Sequence, residues 1–255
     1  MTQPAFELVN PTGAAKLLLL CDHATNIVPD EMAGLGLTPA ELARHVGWDI
    51  GAAAVTRSLA HSLDAPALLS GYSRLVVDCN RTLDDPTAFP TVSDRLPIPG
   101  NQELGAVDKA ERADLFFWPY HRAIHERLDD FALRQIAPAI VSIHSFTPHM
   151  DGLDRPWHIG ILWDRDPRLP MPLIAGLAAL DGLEIGDNQP YSGHDPEGFT
   201  LRNHAVPRGL PHVLIELRQN EIATEEGAER YARYLQTALG PILADPQLYR
   251  PAFYL

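Results

Sequence analysis

The stretch Leu214-Ile215-Glu216-Leu217-Arg218-Gln219-Asn220 constrains this chain most: a carboxylate and a guanidinium sit two residues apart at the end of an apolar run that reads as a buried strand. In a strand that spacing puts Glu216 and Arg218 on one face. Burying two unlike charges is costly unless they are paired or used, so the ending implies either a salt-bridged core or a catalytic cleft. Two further runs end in the same way. Lys16 to Cys21 leads into Asp22-His23-Ala24-Thr25-Asn26, and Ala139 to Ile143 leads into His144-Ser145-Phe146-Thr147-Pro148. In open α/β sheets ligands bind outside the carboxyl ends of the strands, where side chains far apart in sequence converge. Three such endings together favour the cleft.

The rest of the chain supplies the matching elements. Strands are expected at 17–21, 66–69, 74–78, 139–143, 158–163 and 212–217. Thr38-Pro39-Ala40-Glu41 reads as a capped helix start, with Thr38 as N-cap, Pro39 in the first turn and Glu41 closing a capping box. Leu42, Val46, Ile50 and Ala53 continue it as an apolar stripe, with His45 and Asp49 one turn apart beside it. Further helices are expected over 101–135, with a break near Trp118-Pro119, over 170–179 and over 225–239. Strands interleaved with helices predict an α/β fold: a mostly parallel or mixed central sheet flanked by helices. The Pro-rich stretch from Asp84 to Gly100 reads as a long active-site loop rather than a linker, so residues 1–255 are taken as a single domain.

Composition narrows the function. With 255 residues, 45% of them hydrophobic, the chain can bury a sizeable core. A formal net charge of -13 argues against nucleic acid or an anionic membrane as partner. Cys21 and Cys79 lack zinc-knuckle spacing and read as reduced thiols. With no apolar run near the length of a membrane span and no basic leader, a soluble cytoplasmic protein is expected. There is no Gly-rich phosphate loop and no Gly-x-Ser-x-Gly elbow, which argues against a nucleotide enzyme or a serine hydrolase. Nothing in the sequence sets an oligomeric state.

The polar positions carry competing readings. His23 and His144 are each either a metal ligand or a hydrogen-bonded loop histidine, and as a pair at strand ends they reinforce the first. Asp49 is the natural carboxylate partner, with His45 competing for the ligand role and a solvated or salt-bridged Asp49 as the plainer alternative. Arg74, Asp78 and Asn80 share a parity if 74–78 is a regular strand, and Arg81 follows. Guanidinium and amide groups together suit a substrate with a free carboxylate; an Arg74–Asp78 structural ion pair is the alternative. His121 and His125, four apart without a following Glu, read as a polar helix face, and His204 as a residue that could line the cleft.

Taken together, Asp22-His23-Ala24-Thr25-Asn26 with Pro29, His45-Val46-Gly47-Trp48-Asp49-Ile50-Gly51-Ala52, Ser73-Arg74-Leu75 through Asp78-Cys79-Asn80-Arg81, His144-Ser145-Phe146-Thr147-Pro148, Asn188-Gln189-Pro190-Tyr191-Ser192-Gly193 and Ile215-Glu216-Leu217-Arg218-Gln219 resemble the N-formylglutamate amidohydrolase family, in order, over about residues 15 to 240. The resemblance implies a zinc-exopeptidase-like α/β domain that hydrolyses the N-acyl amide of an amino acid. It implies one zinc ion held by His23, Asp49 and His144, with Glu216 activating water and Arg74 polarising the scissile carbonyl. Asn80 and Arg81 would receive the substrate carboxylate, with Arg218 and Tyr191 also facing substrate. The chain departs from the exopeptidase pattern in one respect: Asn26 stands where a His-x-x-Glu motif would carry its acidic ligand, so that ligand must come from elsewhere. The implied partner is a small N-acyl amino acid; a relative acting on another N-acyl or amide compound, or a non-catalytic carboxylate binder, are the alternatives.

Overall fold

A computed structural model of the protein describes residues 3–194 and 198–254. Its strands are β1 (Phe6–Val9), β2 (Leu17–Cys21), β3 (Ala67–Ser70), β4 (Val92–Ser93), β5 (Leu96–Pro97), β6 (Ala139–Phe146), β7 (His149–Met150), β8 (Leu153–Asp154), β9 (Ile159–Leu162), β10 (Ile185–Asp187) and β11 (His212–Arg218). The helices are α1 (Pro39–Leu42), α2 (Ala52–Ser62), α3 (Ala106–Arg112), α4 (Trp118–Leu133), α5 (Pro170–Ala178), α6 (Thr200–His204), α7 (Gln219–Ile222) and α8 (Glu225–Leu243). Seven strands form a mixed sheet in the order β1-β3-β2-β6-β11-β9-β10. β3, β2, β6 and β11 are parallel, β1 runs against β3 and β9 against β11, and β10 is parallel to β9. The α/β class expected from the alternating runs is the observed one.

The continuous apolar character of β2 and β6 follows from layers on both faces. Leu17, Leu19, Val141, Ile143, Val213 and Ile215 pack with Leu59 of α2, Leu173 of α5 and Leu235 of α8. The alternate residues Leu18, Leu20, Leu68 and Ile140 pack with Phe117, Tyr120, Ile124 and Phe131. On this second face, parity continues from Leu20 to Asp22, from Ile140 to Ser142 and His144, and from Leu214 to Glu216. The apolar layer thus gives way to a row of buried polar side chains at the carboxyl edge of the sheet.

Three local expectations are corrected. The segment 74–78 is a turn rather than a strand: the Ser73 hydroxyl accepts from Leu75 N at 3.2 Å and its carbonyl accepts from Val76 N at 2.9 Å, so local side-chain bonding competes with pairing. Arg74 and Asp78 therefore meet across this turn, four residues apart, not along a strand face. The capping box at Thr38 and Glu41 forms, but α1 stops at Leu42, and His45 and Asp49 lie in the turns before α2 rather than on one helix face. Gly47 is the local reason, since a Cβ there would sit 2.3 Å from the Leu42 carbonyl. The helical region expected from 101 begins at Ala106, and its break is a π-helical stretch, Ala113–Phe117, joining α3 to α4. β1 and β10, short edge strands, were not anticipated.

His121 is buried rather than on a polar face. Its Nε2 lies 2.9 Å from the Cys79 carbonyl and its Nδ1 lies 3.0 Å from His204 Nε2. A carbonyl can only accept, so His121 donates from Nε2 and receives the His204 N–H at Nδ1. That leaves His204 Nδ1 buried without a partner among the described residues. Burial first, then neighbouring positive charge for His204, pushes the pair down, His121 to about 4 and His204 to about 3. Groups depressed below an unfolded value near 6.5 stay neutral in the fold. Their stabilisation is full above about pH 6.5 and lost as pH falls toward 4, because the unfolded chain gains the protons. Between pH 7.5 and 5.0 each ring should cost on the order of 2 kcal/mol. Urea unfolding at the two pH values should therefore show a smaller pH-dependent loss in His204→Gln than in the parent; an equal loss would assign the effect elsewhere.

Candidate active site

The register of the parallel strands builds the site. Glu216 of β11 pairs in register with His144 of β6, and Leu20 of β2 pairs with Ser142 two residues earlier, which brings Asp22 and His23 to the same edge. Asp49 reaches them from the turn before α2, whose backbone N–H donates to the His23 carbonyl at 3.0 Å. Ligand atoms of His23, Asp49 and His144 lie within 4.8 Å of one another, all three residues buried. Asp49 Oδ2 is 2.9 Å from His144 Nδ1 and 3.3 Å from His23 Nδ1, and it accepts from Ser145 N at 3.2 Å. The structure thus brings together the three residues the sequence singles out. His45 is not among them; its Nε2 lies 3.4 Å from the Asp94 carboxylate in the loop that follows Asp84.

Each imidazole is held from behind by a second carboxylate. His23 Nε2 lies 2.7 Å from Asp78 Oδ1, and His144 Nε2 lies 3.1 Å from both Asp22 Oδ2 and the Ser142 hydroxyl. Carboxylates on the rear nitrogens fix the tautomer and leave both Nδ1 atoms toward Asp49. Asp22 is itself fixed by the Tyr120 and Thr200 hydroxyls, each at 2.9 Å. Asp22 was the residue sequence reasoning missed. Its signal was its place beside His23 on the sheet face that carries Leu18 and Leu20.

The electrostatics match a cation site. Burial alone would depress His144, but hydrogen bonds to Asp22 and Asp49 raise it to about 10. His23 is raised too: burial and the Arg74 charge oppose this, but Asp78 and Asp49 outweigh them. Against burial, the His23 charge and hydrogen bonds from both rings hold Asp49 below the usual carboxylate range. Against the same penalty, the His144 hydrogen bond and charge bring Asp22 to about 2. Carboxylates therefore hold protons on rings that a divalent cation would displace. Two imidazoles and a carboxylate, oriented from behind, form a donor set that fits zinc.

Glu216 stands apart from this network. Its side chain is buried, and Oε2 has no hydrogen-bond partner among the described residues. Burial, with the Asp49 charge adding and His144 opposing, pushes its carboxyl up to about 7. A carboxyl poised near neutrality beside a cation site can take and return a proton.

The remaining expected residues have these places. Arg74 donates to Asp78 Oδ2 at 2.7 Å and lies 3.4 Å from Asp49 Oδ1, so its charge is shared between two site carboxylates. Asn80 is buried, and its Oδ1 accepts from Thr200 N at 3.0 Å, which ties the site loop to α6. Arg81 reaches Thr87 Oγ1 at 3.2 Å and the Asn80 carbonyl at 3.1 Å. Arg218 is paired with Glu221 at 2.9 Å and Asn220 at 3.1 Å, while Tyr191 is partly exposed beneath Arg155.

Residues 15–223 match the model of the family described as N-formylglutamate amidohydrolase. The chain is 28% identical to the N-formylglutamate deformylase of Pseudomonas aeruginosa, with 91% of each chain covered. It is similar to the solved structure of an Agrobacterium tumefaciens gene product, with a TM-score of 0.91 and 36% identity over 94% of this chain and 95% of that one. A Ralstonia eutropha N-formylglutamate amidohydrolase shares the fold at a TM-score of 0.71 and 22% identity, over 93% and 96% of the two chains. These matches and the site define a hydrolase of amide carbon–nitrogen bonds. The chain belongs to the N-formylglutamate amidohydrolase family.

The position of Asp49 depends on Gly51, which opens α2 at φ +82 with the Ile222 carbonyl 2.2 Å from where a Cβ would lie. Gly51→Ala meets both a left-handed backbone and a backbone clash, which should cost upward of about 2 kcal/mol in urea unfolding. A variant as stable as the parent would show that the turn relaxes freely.

Proposed function

We propose that the chain, acting as one domain over residues 1–255, hydrolyses the N-formyl amide of N-formyl-L-glutamate to formate and glutamate with one divalent cation, zinc. The observation that carries this is the buried His23, Asp49 and His144 group with Glu216 alongside it in strand register. The family and the Pseudomonas aeruginosa relative supply the substrate class, a small N-acyl amino acid. When bound, the cation supplies Lewis acidity at the scissile carbonyl and at the attacking water.

The protein's own groups do the rest. Ionised Glu216 accepts a proton from the attacking water and returns it to the nitrogen of the departing amino acid. Arg74, at the rim of the ligand group, adds positive charge where oxygen charge develops. Asp78 keeps the ring of His23, and Asp22 that of His144, turned toward the site through their rear nitrogens. Asn80 and Arg81 receive one substrate carboxylate at the mouth, with Tyr191 and Arg218 shaping its wall.

Purified protein should contain about one zinc per chain and release formate from N-formyl-L-glutamate, with chelation abolishing release and added zinc restoring it. Glu216→Gln should lower kcat by roughly 100- to 10,000-fold while zinc content stays unchanged. Loss of the metal from that variant would make Glu216 a ligand instead. Turnover that survives full chelation would sink the metal-dependent reading. On the acid side kcat/KM should rise with pH, because the base acts in its ionised form and Glu216 lies raised toward 7.

A further inference from the structure

We propose that Arg155 receives the second carboxylate of the N-acyl amino acid substrate. The proposal rests on the hydrolase reading above and names a residue that the sequence did not single out. Arg155 ends the β7–β8 hairpin, which leaves the carboxyl end of β6, and its backbone N–H closes the hairpin base on the Pro148 carbonyl at 2.8 Å. Arg218, at the end of β11, donates to the neighbouring Pro156 carbonyl at 2.8 Å. Arg155 is therefore held between the ends of the two strands that carry His144 and Glu216.

The partners of its guanidinium are unusual for a half-buried arginine. It lies 4.9 Å over the Tyr191 ring, donates to the Tyr191 hydroxyl at 3.0 Å and meets Met150 Sδ at 3.0 Å. None of these carries a compensating charge, and no carboxylate of the described residues lies within 4.0 Å of it. Arg74, Arg168 and Arg218, by contrast, are each paired with an acid. In a chain of net charge -13 an uncompensated guanidinium beside the site is available to an anion.

The Tyr191 phenol is raised by burial and by the charge of Glu216, and relieved by the charges of Arg155 and Arg74, so one ring senses all three. A site crowded with Asp22, Asp49, Asp78 and Glu216 repels a dianionic substrate unless cations at its mouth offset them. Arg74 is already shared between Asp78 and Asp49. The planar fork of Arg155, stacked on an aromatic face, suits bidentate capture of a carboxylate.

The test compares zinc-loaded parent, Arg155→Met and Arg155→Lys on N-formyl-L-glutamate and on its two mono-amides, one lacking the side-chain carboxylate and the other lacking the α-carboxylate. Arg155→Met should raise KM for N-formyl-L-glutamate roughly 10- to 100-fold with kcat within a few-fold. For one mono-amide the substitution should change KM little, because the group Arg155 receives is already gone, and Arg155→Lys should recover part of the loss. An equal rise for all three compounds, or an unchanged KM, overturns the assignment and leaves Arg155 as a clasp on Tyr191. Calorimetric binding of L-glutamate to the same proteins separates the two proposals. Arg155-dependent binding without formate release removes the proposed reaction and keeps the receptor, while formate release with Arg155-independent binding does the reverse.

Discussion

The close approach of Asp49 to His23 and His144 is the constraint on which the rest of the site depends. Three groups that would each prefer water are held together with almost no exposure, compensated by one another, by the carboxylates behind the rings, and by Ser145 N and Arg74 on Asp49. The network works because it is fully connected: Asp78 and Asp22 occupy the rear nitrogens, and Tyr120, Ser142, Thr200 and Arg74 occupy the remaining acceptors of those two acids. Removing one member would strand its neighbours in a medium of low dielectric. The helical layers on both sheet faces exist, in this sense, to exclude water from that edge.

Glu216 gains its chemistry from being left out of this network. It shares the same strand register as His144, yet one of its oxygens is unpartnered in the interior, and burial therefore moves its carboxyl toward neutrality. The carboxylates Asp49 and Asp22 nearby move the other way, because hydrogen bonds and charge from the histidines outweigh burial. Carboxyl groups pushed apart by environment divide the labour into ligand-holding acids and a proton carrier.

The arginines divide in a comparable way. Arg74 and Arg218, the arginines proposed above for the oxyanion and the substrate wall, are each also bound to acids of the protein itself. Arg155 carries its charge against a phenol and a thioether instead. Guanidinium groups are identical in sequence, and only their partners in the fold decide how much of each charge the protein's own acids offset.

The sequence by itself determined the α/β class, the apolar runs that become the four central strands, though not their order or direction, and the carboxyl ends at which His23, His144 and Glu216 stand. Continuous apolar runs and side-chain alternation are local properties, and they survive into the fold because both sheet faces are covered. His23, His144 and Glu216 stood out because polar groups that terminate buried strands are costly and therefore conspicuous, whereas Asp49 was picked only as a carboxylate that could join them. What only the tertiary structure decided depends on partners distant in sequence. Asp49 sits in a turn instead of a helix because Gly47 and Gly51 must pass close to the Leu42 and Ile222 backbones. Segment 74–78 gives up strand geometry to a serine turn, Asp22 meets His144 across 122 residues, and His121 finds His204 across 83. No local pattern encodes such pairings, since they arise from strand order and the layering of helices on the sheet.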